Sequence, residues 1–284
     1  MFTLKHTAAL KCIAAAAFLA LAACSKEDDA PVPEKTADTY QVKTIYFAGT
    51  PVDSFIYANN QIAENWIYDE DDKAYRQKSI YTYDTDGRLL RSVNYQNYRQ
   101  ASMYVRSTDS IGWKPEKLVI YSVQYAELTG AAVGWDTTTL KLDANNRLAL
   151  FNTKDTLRSG NTKTVNYAEW GYTGNNITTF NDVYYYSGSS SSDDFRSVME
   201  YGKLINPLYG YVAKNPILAL DLSDMHASLL SQNNVTKVTA SGRNGENQAV
   251  SSTTVAGTDV VQESTFQGNS GTFKITYSLV KLQK

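Results

Sequence analysis

Cysteine and histidine are scarce in this chain. Its 284 residues hold two of each. Cys12 lies in an apolar leader, and the other cysteine is Cys24. No pair remains for a disulfide in a folded domain, so stability must come from burial and hydrogen-bonded sheet. Past the leader the one histidine is His226. A serine–histidine pair would have to use it, and no G-x-S-x-G elbow accompanies it. No H-E-x-x-H or paired-histidine pattern exists, which leaves no metal site and no cofactor to expect. Charge of one sign is also missing. Lys and Arg number 27 and Asp and Glu 29, a net of −2. Losing Lys5 and Lys11 with the leader leaves 25 cationic against 29 acidic residues, a net of −4. Nothing in that balance recruits nucleic acid. No second long apolar run follows residue 23, so no spanning helix is expected.

What is present begins with the leader. Lys5 and Lys11 precede an uncharged apolar run from Ile13 to Ala23. It falls short of the roughly 20 residues a membrane-spanning helix needs and has the make-up of a secretory signal. Leu21-Ala22-Ala23-Cys24 resembles the lipobox of bacterial lipoproteins. The resemblance implies cleavage before Cys24 and acylation of that residue. Several acyl chains make a durable tether, since one holds only weakly. The alternative is an ordinary signal that leaves a free thiol. Ser25-Lys26-Glu27-Asp28-Asp29 resembles the sorting signal of surface-exposed lipoproteins, and the bland reading is a solvated acidic linker. Ala30-Pro31-Val32-Pro33 adds a stiff spacer. The expected organisation is a signal peptide over 1–23, a linker over 24–39 and one β domain over 40–284. The expected address is the outer membrane, facing outward, with the periplasmic side as the alternative.

Twenty-one tyrosines suit a half-buried pleated surface. Val119, Tyr121, Val123 and Tyr125 alternate with Ile120, Ser122, Gln124 and Ala126. Phe273, Ile275, Tyr277 and Leu279 alternate with Thr272, Lys274, Thr276 and Ser278. A period of two sends one set to a core and the other to water. Noisier runs predict strands over 40–48, 52–59, 62–68, 78–84, 88–95, 137–142, 147–153, 163–172, 177–186, 195–201, 235–241, 248–255 and 260–266. The fold class is therefore all-β, an antiparallel meander of hairpins forming a curled sheet or a soluble barrel. Pro207–Asn234 breaks the rhythm. Asn215-Pro216 is a helix start, and Leu218, Leu222, Met225 and Leu229 share one helical face. A helical segment near 215–232 is expected to cover the concave side or an open end of the sheet.

One turn pattern recurs, at Tyr68–Lys73, Tyr83–Leu89, Leu142–Leu148 and Tyr172–Ile177. Its fifth place is Asp72, Gly87, Asn146 or Asn176, residue types that tolerate a left-handed backbone. Asp84 and Asp143 at the second place are able to cap the turn with their own side chains. These are read as hairpin tips with a bulge. The copy at Tyr83–Leu89 resembles the YD repeats of large secreted bacterial shell proteins. More widely, the lipobox, the hairpins, Ile205-Asn206-Pro207-Leu208-Tyr209-Gly210 and Leu230–Val238 together resemble a family of bacterial lipoproteins of unknown function described as porin-like. The resemblance implies a fold and a location, and no activity.

Binding is the function these residues favour. Trp170, Tyr172, Tyr184, Tyr185 and Tyr186 form the candidate aromatic surface for a glycan or an envelope-protein partner. In a strand Tyr184 and Tyr186 face one way and Tyr185 the other. The competing reading is an aromatic cluster that only stabilises sheet. Asp69-Glu70-Asp71-Asp72 lacks calcium-loop spacing and reads as a solvated tip. The protein is expected to be a non-catalytic binding module. A structural or assembly role in an envelope complex is the alternative, and a hydrolase using paired carboxylates is the third reading.

Overall fold

A computed structural model describes residues 40–97, 102–159, 162–187, 192–221, 230–242 and 245–282. The leader, Cys24, the linker and His226 lie outside them. The described residues form sixteen antiparallel strands. These are β1 (Tyr40–Phe47), β2 (Thr50–Ala58), β3 (Gln61–Asp69), β4 (Ala74–Tyr83), β5 (Leu89–Gln96), β6 (Tyr104–Lys114), β7 (Lys117–Tyr125) and β8 (Ala132–Leu142). They continue with β9 (Leu148–Ser159), β10 (Thr162–Thr173), β11 (Asn176–Tyr186), β12 (Ser192–Ile205), β13 (Asn233–Gly242), β14 (Gln248–Thr254), β15 (Val261–Gly268) and β16 (Gly271–Lys281). Each strand pairs with the next, and β1 pairs with β16, so the meander closes into a barrel. Of the two expected shapes, curled sheet and barrel, the chain adopts the second.

Cross-strand partners share a face, so the register assigns every side chain to lumen or outside. The lumen side carries Val42, Phe55, Leu118, Leu140, Ile177 and Ile275, all buried. The outside carries cross-strand ion pairs, Lys237 Nζ with Glu200 Oε1 at 2.8 Å, Lys274 with Glu263 at 2.8 Å and Lys154 with Glu169 at 2.5 Å. Exposed pairs of this kind add little stability. They place charge on the outer wall at β9–β10, β12–β13 and β15–β16.

Sixteen strands enclose more space than wall side chains fill. The connection from β12 to β13 fills one end. Its described residues contain two single helical turns, α1 (Tyr209–Val212) and α2 (Leu218–Asp221). α2 falls within the expected segment near 215–232, and α1 is an additional turn ahead of it. Residues 222–229 lie outside the described residues. Leu208, Val212, Ile217, Leu218, Ala219 and Leu230 join one buried cluster with lumen residues from around the barrel. The Tyr211 ring sits 5.1 Å from that of Tyr57 on β2. The segment is a plug, in the covering role its apolar residues imply.

β6 is a strand that alternation did not reveal. Its lumen positions include Ser107 and Asp109, which are polar. The same inner face continues with the apolar Ile111 and Trp113, so only its Ser107–Asp109 half is polar, and that half hides the period of two.

Candidate binding site

The hairpin turns at the plugged end hold the plug. Asp84 Oδ1 accepts the N–H groups of Asp86 (2.9 Å) and Arg88 (2.8 Å). Asp143 Oδ1 does the same for Asn145 (2.9 Å) and Arg147 (3.0 Å). Gly87 and Asn146 have φ of 79° and 60°. In the other two copies the left-handed residue differs from the expected one. It is Lys73 rather than Asp72, and Gly174 rather than Asn176. Asn176 is instead the first residue of β11. Burial alone would raise the Asp143 carboxyl. Hydrogen bonds from the Arg147 side chain and from the Arg147 and Asn145 backbone outweigh it and hold the carboxyl below its usual range.

Such turns leave backbone groups pointing at the barrel axis, and buried groups need partners. Asn215 of the plug accepts Leu89 N–H at 2.6 Å and donates to Gly87 O at 2.9 Å. Ser231 Oγ accepts Ile177 N–H at 3.0 Å. Asn176 and Asn233 exchange two hydrogen bonds of 3.1 and 2.9 Å. Asn206 donates to Ser231 O at 2.9 Å and accepts Leu208 N–H at 3.0 Å. A cavity of about 20 Å³, the space of a water molecule, lies between Asn206, Asn233, Asn234 and the wall residues Ser264, Phe266 and Tyr277. Burial pushes the Tyr277 phenol up to about 12.

Above the plug the lumen wall is sided. Over β4–β7 it is a polar ladder. Asp109 accepts Ser92 Oγ (2.9 Å), Asn94 Nδ2 (2.7 Å) and Ser122 Oγ (2.5 Å), and Ser79 donates to Asn94 at 2.7 Å. Asp53 on β2 is only 1% exposed and takes one hydrogen bond, from Asn65 Nδ2 at 2.9 Å. Its Oδ2 and Asn65 Oδ1 have no hydrogen-bond partner among the described residues. Burial raises its carboxyl to about 6, against a smaller opposing effect of the Asn65 bond. Over β10–β12 and β15–β1 the wall is aromatic. Trp170, Phe180 and Phe195 follow one another at 5.6 and 6.3 Å, and Phe47, Phe273 and Phe266 at 5.1 and 4.8 Å.

Two of the solved structures similar to this chain are described as porin-like. The chain is similar to a porin-like protein from Bacteroides vulgatus ATCC 8482, with 8% identity and a TM-score of 0.38 over 84% of this chain and 97% of that one. It is also similar to a porin-like protein from Bacteroides uniformis ATCC 8492 (11%, TM-score 0.31, 85% and 99%). A DUF3836 family protein from Bacteroides vulgatus ATCC 8482 matches 33% of this chain and 97% of its own length (7%, TM-score 0.25). No protein-family model and no curated protein matches.

The five aromatic candidates separate into two groups. Trp170 is 5% exposed and packs on Phe180 beside the plug. Tyr172 is half-buried beneath the Arg147 guanidinium, 4.0 Å from its ring centre, and burial raises its phenol. Both belong to the core. Tyr184 (43% exposed) and Tyr186 (38%) face the lumen at the unplugged end, while Tyr185 faces outward. Asn166 lies opposite Tyr184, and Asp182 opposite Ala168. Across the opening, Gln124 and Asp136 also face the lumen and are exposed. Among the described residues the unplugged end is thus an open mouth lined by tyrosine, amide and carboxylate groups. The amide and carboxylate members escaped the sequence reading, because only the closed ring brings β7, β8, β10 and β11 around one opening.

Proposed function

We propose that the barrel is a non-catalytic cup that binds glycan through its open mouth. Tyr184 and Tyr186 offer ring faces for the apolar side of a sugar. Asn166, Gln124, Asp136 and Asp182 offer donors and acceptors for its hydroxyls. The single observation that carries the reading is the exposure of lumen-facing tyrosines at a mouth whose opposite end is sealed. A concave site with aromatic walls and a few polar groups is the ordinary form of a ligand pocket.

The charged outer wall fits a barrel that stands in water, with Cys24 acylation supplying the hold on the outer membrane. β1 begins at the plugged end, so the mouth lies at the far end of the barrel from Tyr40. A glycan array with the mature protein tests this. Binding to a sugar class is expected, and the double variant Tyr184→Ala/Tyr186→Ala should lose at least tenfold in affinity. A flat array, or an unchanged affinity in the double variant, would remove the reading.

A further inference from the structure

The wall of the cup is incomplete beside β8. The β8–β9 ladder consists of three pairs, Leu140 with Phe151, Lys141 with Leu150 and Leu142 with Leu148. On its other side β8 pairs with β7 from Ala132 to Lys141. Among the described residues, Ala132–Thr139 therefore has a neighbour on one edge only. The cause is local. Asn152, the next residue of β9 after the last pair, has φ of 60°. A left-handed residue turns a strand out of its line. Thr137 shows what the missing neighbour leaves behind. Its N–H is met by the carboxylate of the preceding residue, Asp136 Oδ1, at 2.7 Å.

An unpaired strand is a template for another chain, and proteins ordinarily guard such edges with lysine, proline or a cover. Ala132–Thr139 contains no Lys, Arg or Pro. Its outward side chains include Val133 (61% exposed) and Trp135 (74%), with Leu128 (89%) on the adjoining loop. Lys154 beside the gap is engaged by Glu169, which leaves carboxylates there without a cation. Asp136 and Asp155 are exposed, and neither forms an ion pair with a described cation. That balance disfavours a second copy of the same edge and favours a basic occupant.

We infer that the free edge of β8 is a strand-addition site for an extended, lysine-bearing segment of a partner protein. The segment's backbone takes over Thr137 N–H and releases the Asp136 carboxylate to one of its lysines. Its alternate side chains lie against Trp135 and Val133. Main-chain bonds supply affinity in this mode and the alternate side chains supply specificity.

A random twelve-residue peptide library, displayed on phage and selected on the mature protein, tests the inference. Enriched peptides should alternate lysine with β-branched or aromatic residues. A synthetic copy should slow amide exchange across Ala132–Thr139. Thr137→Pro removes an N–H that meets a side chain rather than a strand, so the barrel should still fold. It should weaken the peptide at least tenfold, and Trp135→Lys should do the same. Added salt should weaken it further in the wild type than in Asp136→Asn. The inference is overturned if no selected peptide depends on Thr137 and Trp135, or if protection appears elsewhere. Protection that arises from self-association in sedimentation would also overturn it, because the occupant would then be a second copy.

Discussion

The two ends of the barrel use the same strands for opposite purposes. At the plugged end the lumen residues are Ile62, Leu89, Leu118, Leu148 and Ile177, nearly inaccessible and packed on the plug. At the mouth the same faces carry Gln124, Asp136, Asn166 and Tyr184, open to solvent. The plug side holds the turns in place through Asn215 and Ser231, while no described segment covers the mouth side. Stability is concentrated at one end, so the other is free to carry side chains that the fold does not need.

That contrast is breakable by substitution. The largest loss should follow Leu208→Ala, which empties a fully buried position in the plug. About 2–5 kcal/mol is expected by chemical denaturation. Gly87→Val should come next. The new Cβ would lie 2.8 Å from Gln61 Nε2, at a φ of 79° that valine resists. About 2–3 kcal/mol is expected, against less than about 0.5 for the exposed neighbour Thr85→Val. Equal melting temperatures for these two would show that the turn is not held as described.

Asp53→Asn should act in the opposite direction. The folded Asp53 carboxyl titrates near 6, against 3.8 for its ordinary value. The folded chain therefore binds that proton more tightly than the unfolded one. Stability from this group is complete below about pH 4 and falls as pH rises through 6, by about 3 kcal/mol. Asp53→Asn should flatten that slope and raise the melting temperature at pH 7.5, with a gain of about 1–3 kcal/mol. A wild-type melting profile unchanged between pH 4 and 7 would contradict the assignment. The smallest effect on stability, under about 0.5 kcal/mol, should come from Tyr184→Ala/Tyr186→Ala, even as it removes binding. A cost near that of Leu208→Ala would erase the distinction between the ends.

The sequence showed strands wherever one face was apolar. Phe273, Ile275, Tyr277 and Leu279 face the lumen as their alternation implies. β6 was hidden because half of its lumen face, Ser107 and Asp109, joins the polar ladder, leaving only Ile111 and Trp113 to mark the alternation. Helical spacing at 218–229 suggested a cover, but the contacts that fix it were illegible. Asn215 reaches Gly87 and Leu89 across more than a hundred residues, and no local pattern encodes that meeting. Trp170 and Tyr184 look alike in sequence. Height along the strand relative to the plug decides which is core and which lines the mouth.

The register of β1 on β16 has a consequence in time. Tyr40, the first residue of the ring, lies against Lys281, near its end. Closure therefore waits for the last strand to be synthesised. Contacts so distant in the chain slow folding and leave early intermediates prone to misassociation. Loss of β16 alone should yield a protein that clumps rather than a slightly shorter cup.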